Sequence, residues 1–527
     1  DFDRYYFDEA RLSLEKAVEK DPDFALAYFY LTRVYQNLAD APRAEKALEQ
    51  FKKLSRTGTA KGKDGLYITA LSRLMEKDSE GYVRGLKDVI HADPRDKRAL
   101  VDLAWFYKNQ KKYAEAIPLF DKALEIDPAF GYAMNLLAYT YSEMGEKEKA
   151  LKTFDRYAAA QPGDANPIDS MGDLYFLTGK FGAARAKYEQ VLTIRPQFPS
   201  AWKLAYLYAM EGDYGQALQW ADHLIAHAET DGIRAQGRQW KGFYYSLMGH
   251  SDEALRELDT AEALAKASGN FQLTDTTLRN ALWTCYDWGR YDLYKIYLKK
   301  RLAYRAESKQ ATPTLNKIYE DLYMGLLDIK SGNVASARKK LEEILSLSAS
   351  VGEKEKDFNL MAAGHLKREI LFAEGAYGEA IRVFKDSPMV MIDLGAFMTV
   401  QQKNLPFQAD FVARALLKKG ETGKAIAEYE RLVSPDAAAR EKALVHPFSR
   451  IRLAALYEAK GDLDRAVEQY EIAVKGWKGA DPGLPEVAAA RKKLTLLKAR
   501  TTRPKGASVD AFYSSPFYVA PNGLLIP

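Results

Sequence analysis

Apolar and polar positions fall along this chain in blocks that fit amphipathic helices. Between residues 97 and 130, Leu100, Leu103, Ala104 and Tyr107 recur at helical spacing and predict one face of a first helix. Asn109 to Lys112 is polar and marks a turn. Ala116, Phe120 and Ala123 then form the apolar face of a second helix. Small residues let the two helices approach, and aromatic rings fill the space between them. Asp127-Pro128 ends the second helix, because proline cannot continue the hydrogen-bond ladder. The pattern then restarts with a step of 34 residues, kept by Pro94, Pro128, Pro162 and Pro196. Leu103, Leu137 and Met171 keep the same step, as do Ala104, Ala138 and Gly172. So do Tyr107, Tyr141 and Tyr175, then Ala116, Ala150 and Ala184, then Phe120, Phe154 and Tyr188. Gly145 takes the turn in the second unit. A helical pair this short cannot bury its apolar face alone, so the units must stack into an all-α solenoid.

Weaker copies extend the period over most of the chain. Residues 25–58 supply Tyr28, Leu31, Tyr35, Ala44 and Leu48, and an irregular third unit follows with Leu66 to Leu71. Residues 199–232, 235–268, 406–439 and 447–480 fit the template. Residues 275–308, 318–351 and 361–394 keep the glycines Gly289, Gly332 and Gly375 but lose many aromatic positions. The expected organisation is about twelve helical pairs. Residues 1–24 read as a half repeat, 25–232 and 233–484 as two stretches of the array, 485–500 as a capping helix and 501–527 as an extended tail. In the half repeat, Ala10, Leu14, Ala17 and Pro22 match a second helix, and Phe2 to Tyr6 is either the remnant of a first helix or a frayed end. The chain starts at Asp1 rather than Met, so the expectation is a natural start further upstream and a larger parent protein.

Type and spacing together closely resemble the tetratricopeptide repeat family. That resemblance implies a right-handed solenoid whose first helices line a concave, ligand-holding face. Asp21 to Tyr28 opening the array, His446-Pro447, Arg452 to Tyr457 and Trp477-Lys478-Gly479-Ala480-Asp481-Pro482 near its end are similar to a narrower group. These are the repeat regions attached to bacterial eukaryotic-type serine/threonine kinases, adenylate cyclases and winged-helix regulators. The resemblance implies a sensory or docking module. Free-standing exported proteins with the same repeats are an equally simple parent.

Composition narrows the chemistry. The 77 basic and 72 acidic residues of this 527-residue chain nearly balance, against the concentrated basic excess of a nucleic-acid binder. One cysteine, Cys285, rules out an intrachain disulfide and a Cys-based zinc site; it holds the place of Tyr107 and reads as an inert core thiol. Scarce cysteine fits cytoplasm and periplasm alike, and the missing start hints at export. The most apolar stretch, Pro388 to Val400, is too short to span a bilayer and carries Asp393. No kinase signature, nucleophile elbow or dinucleotide loop is present in the sequence, so neither catalysis nor a cofactor is expected. His223 and His227 lie four apart on a helix, a spacing that could bind a metal but reads more simply as two surface histidines. From Tyr291 to Arg305, aromatic and basic residues interleave. That pattern suits an acidic partner or nucleic acid, or a repeat helix with tyrosines inward and lysines solvated. Arg491, Lys492, Lys493, Lys498, Arg500, Arg503 and Lys505 form a basic stretch suited to an acidic surface, or a solvated cap and linker.

The expected function is a non-catalytic protein-interaction scaffold or sensory module. Its solvent-facing candidates on the concave face are Arg98, Asp102, Trp105, Asn135, Thr140, Asp169, Lys203 and Tyr208, a mixed set suited to an extended peptide or a helix. Two alternatives remain open: the regulatory arm of a kinase or cyclase whose catalytic domain precedes residue 1, and a structural subunit of an envelope assembly.

Overall fold

The computed structural model describes residues 1–57, 60–308, 312–349, 353–386, 409–436, 443–501, 518–519 and 525–526. The apolar stretch Pro388 to Val400, the basic residues Arg503 and Lys505, and the tail aromatics Phe512, Tyr513 and Phe517 lie outside these residues. The fold is all-α, built of stacked helical pairs. The regular pairs are Lys97–Asn109 with Tyr113–Ile126, Gly131–Glu143 with Lys147–Ala160, and Ala165–Leu177 with Phe181–Ile194. Each closes on one buried trio: Ala104, Ala116 and Phe120; Ala138, Ala150 and Phe154; Gly172, Ala184 and Tyr188.

The turns repeat as closely as the cores. Each first helix ends on a left-handed residue, Lys111 at φ 59°, Gly145 at 82° and Gly179 at 78°. The next N–H reaches back across the turn, from Lys112 to Tyr107 O, Glu146 to Tyr141 O and Lys180 to Tyr175 O. This is a glycine-type helix stop, and Lys111 adopts it despite its Cβ. Between pairs, the N–H of Asp96, Phe130, Asp164 and Phe198 bonds the carbonyl three residues back, at 3.0–3.1 Å. The repeating prolines stand second in these four-residue turns, where their fixed φ is favoured.

The helices form two compact units. One holds Asp1–Leu204, His223–Ala235 and Leu264–Asn270; the other holds Ala205–Asp222, Gln236–Ala263 and Phe271–Pro527. In the first unit, the late segments pack on its start. Thr230 Oγ1 donates to Leu38 O at 2.6 Å, and Ala41 N to Ser268 O at 3.2 Å. Gly232 is required at this joint, since a Cβ there would lie 2.5 Å from Ala39 Cβ.

The second unit closes through the Trp477–Pro482 segment singled out in the sequence. Trp477 Nε1 donates to Leu247 O at 3.3 Å. Asp481 accepts from Ser251 N and Ser251 Oγ at 2.7 Å each and so caps the helix Ser251–Ala267. His446 Nε2 lies 2.7 Å from Asp287 Oδ2 at the same closure. The helix Tyr291–Glu307 buries Tyr294, Tyr297, Arg301 and Arg305. Arg301 holds Asp275 through two 2.8 Å bonds and stacks on Tyr319 at 4.5 Å. The interleaved stretch therefore points its arginines inward together with its tyrosines. Cys285 is buried in this unit and its thiol is pushed up to about 12 by burial.

The helix Pro485–Thr501 follows, with three of its basic side chains engaged within the chain. Arg491 donates to Trp477 O at 2.8 Å, Lys493 pairs with Glu458 at 3.0 Å and Lys498 with Glu471 at 2.5 Å. Tyr518–Val519 pairs antiparallel with Leu525–Ile526. No helix among the described residues is long and apolar enough to cross a membrane.

Candidate protein-binding face

The start of the chain lies against first helices of the first unit. Phe2–Arg4 forms a short 3-10 turn rather than a helix remnant or a frayed end. Phe2 meets the Tyr30 ring edge-on at 5.1 Å. Asp3 accepts from Arg98 Nη1 at 2.6 Å. The Arg98 guanidinium is itself set between the rings of Tyr30 and Tyr132, at 5.3 and 4.4 Å.

Arg4 Nε and the Tyr6 hydroxyl both donate to the Asp164 carboxylate at 3.0 Å. Asp164 also accepts from Tyr157 at 2.9 Å and from the Asn166 amide at 3.1 Å, which caps the helix Ala165–Leu177. The Tyr6 oxygen in turn accepts from Ala165 N at 2.9 Å, filling one of the donors that a helix start leaves open. Arg195 lies over the Tyr6 ring at 3.9 Å and pairs with Glu9.

Beside this line sits a buried polar cluster. Lys203 Nζ bonds both Asp169 and Asp173 at 2.7 Å, and Ser200 Oγ donates to Asp169 at 2.6 Å. Burial pushes the Asp169 carboxyl up to about 6, with Lys203 opposing. Tyr139 and Tyr188 donate to Asp173 at 3.1 and 2.7 Å.

These positions correct the solvent-facing set expected from sequence. Asp102, Asn135, Thr140, Asp169 and Lys203 are buried. Asp102 accepts from the Tyr67 hydroxyl, and burial raises its carboxyl although Arg98 opposes. Asn135 accepts from Ser170 at 3.1 Å, and Thr140 donates to its own helix at Leu136 O, 2.8 Å away. A stacked helix buries its flanks against both neighbours, so helical spacing alone overstates its open face. Arg98, Trp105 and Tyr208 are partly exposed, but Tyr208 belongs to the second unit. Asp164 and Arg195, which hold the segment, were missed. They stand in inter-repeat turns, and their partners lie more than 150 residues away, Tyr6 at 158 and Glu9 at 186.

The paired histidines carry no comparable arrangement. The His223 and His227 rings stack at 4.1 Å, with His223 Nε2 at Pro196 O and His227 Nδ1 at His223 O.

Comparison with known proteins agrees with this architecture. Models of the tetratricopeptide repeat match residues 84–129, 109–169 and 199–223. The chain is 25% identical over 254 residues to anaphase-promoting complex subunit 3 of Schizosaccharomyces pombe, covering 48% of this chain and 37% of that protein. It is 30% identical over 101 residues to the TPR repeat-containing protein MJ0940 of Methanocaldococcus jannaschii, covering 19% and 31%. The chain thus spans well under half the length of these relatives. Among solved structures, it is similar to PilW, a type IV pilus biogenesis factor, at 21% identity and a TM-score of 0.31, covering 42% of this chain and 100% of that one. The chain carries tetratricopeptide repeats where these models match, at residues 84–169 and 199–223.

Proposed function

We propose that the protein is a non-catalytic scaffold that holds an extended segment of a protein partner on the first-helix face of its first unit. One observation carries this reading: residues 1–9 already lie there, held by Arg98, Asp164 and Arg195. The face therefore has the groups needed to hold a peptide in a defined direction. Arg98 and Trp105 are the contact residues in this reading, and Asp102, Asn135, Thr140, Asp169 and Lys203 position the helices that carry them. The relatives include subunits of named complexes, which supports a role in assembly.

The test is site-specific photo-crosslinking in cells that express the full chain. A photoreactive residue at Trp105 should capture a protein that the same residue at the exposed, outward Ile296 does not. Equal capture at both positions, or none at Trp105, would refute the assignment.

A further inference from the structure

The way the first unit holds its own start specifies what else it would hold. Two features of residues 3–9 make this segment a weak occupant. Tyr5 sits at φ 62°, a left-handed conformation that a side chain with a Cβ rarely adopts. The Asp3, Arg4 and Glu9 side chains keep 32%, 37% and 40% of their surface open, so their ion pairs are screened and individually weak.

The receptor is far better built than its occupant. The Asp164 side chain is fully buried, and Tyr157 and the Asn166 amide hold it in place. Without Arg4 and Tyr6 it would lose its cation and one of its two tyrosine hydroxyl donors. Arg98 is fixed between two tyrosine rings, with its Nε 3.4 Å from Asp102, and offers Nη1 to a second carboxylate. An empty face therefore presents a cation, then an anion with room for a hydroxyl, in a fixed order.

We propose that this face binds a partner segment with the order acidic residue, arginine, any residue, tyrosine, and that Asp3-Arg4-Tyr5-Tyr6 occupies the site in cis until such a segment displaces it. The proposal rests on the reading of this face as protein-binding and adds the chemistry of the ligand.

The test uses the full chain and two fluorescent peptides. One has the sequence of residues 1–9; the other is the same peptide with its third and fourth residues exchanged. Fluorescence anisotropy would compare wild type with a released variant, Asp3→Ala/Arg4→Ala/Tyr6→Ala, and with a chain starting at Phe7. Freeing the site should tighten binding of the first peptide by about tenfold or more, since the cis occupant no longer competes. The exchanged peptide should bind at least about tenfold more weakly, because it sets like charges against Arg98 and Asp164. Arg98→Gln in the released chain, with its circular dichroism unchanged, should narrow the difference between the two peptides and leave the part set by Asp164. Equal binding of both peptides to the released chains would overturn the proposed order while leaving the face as a protein-binding surface. Binding of neither would overturn both.

Discussion

Gly172 is the tightest point of the third regular pair, and replacing it tests how the repeat core works. A Cβ there would lie 2.5, 2.8 and 3.1 Å from Cε1, Cδ1 and Cζ of Tyr188. The ring cannot retreat: it is fully buried, and its hydroxyl is tied to Asp173 at 2.7 Å. Gly172→Ala gains about 1 kcal/mol of helix propensity. Overpacking a pinned ring costs about 1–3 kcal/mol, and two contacts below 3.0 Å place this case at the upper end. The net expectation is a loss of about 1–2 kcal/mol. The equivalent residues of the two preceding pairs are Ala104 and Ala138, and there the facing rings are Phe120 and Phe154, which have no hydroxyl to anchor them. Gly172→Ala/Tyr188→Phe recreates that pairing and frees the ring to shift. The double variant should therefore be more stable than the sum of the two single changes by at least about 0.5 kcal/mol. Thermal unfolding, with hydrogen exchange in Ala165–Leu177 and Phe181–Ile194 to localise the effect, would measure both. A Gly172→Ala midpoint at or above that of wild type would refute the packing argument.

Other consequences follow from single groups. Lys111→Gly should stabilise the chain by about 0.5–1 kcal/mol in thermal or urea unfolding, because it removes a Cβ from a left-handed turn that glycine fills in the next two pairs. The Asp169 carboxyl, raised to about 6 by burial, binds its proton more tightly in the folded than in the unfolded chain. The stability of wild type relative to Asp169→Asn should therefore fall as pH rises from about 4 to about 6, and a flat difference across that window would contradict the assignment. Cys285, buried and with its thiol pushed up to about 12, should resist a thiol reagent at pH 8 in the native chain and react on denaturation.

The fold was legible because a solenoid writes its contacts into a fixed step. Ala104, Ala116 and Phe120 touch within one unit, so their recurrence reveals both helices and their packing. Even the turn at Lys111 was marked by its place in the period, although its residue type gave no sign of a left-handed backbone. The candidate site was legible only in part. Arg98 stood out, but its partner Asp3 is 95 residues away and belongs to no repeat. The closure of the second unit by Asp481 on Ser251 spans 230 residues. Periodicity carries no information about such contacts. The signal available lay at the ends of the repeat pattern: Trp477 to Pro482 closes the last fitted pair, Asp1 to Tyr6 precedes the helix of the half repeat, and both bind elsewhere on the array.

The most direct test of the occupied face is the exchange rate of one amide. Ala165 begins its helix, and its N–H points to the Tyr6 hydroxyl at 2.9 Å instead of to an earlier turn. Site-resolved hydrogen exchange should find Ala165 protected in wild type and fast-exchanging in Tyr6→Phe, which keeps the ring against Arg195 but removes the hydroxyl. Fast exchange of Ala165 in wild type, or protection unchanged in Tyr6→Phe, would mean that the start of the chain does not hold this face, and the account of the site would fall.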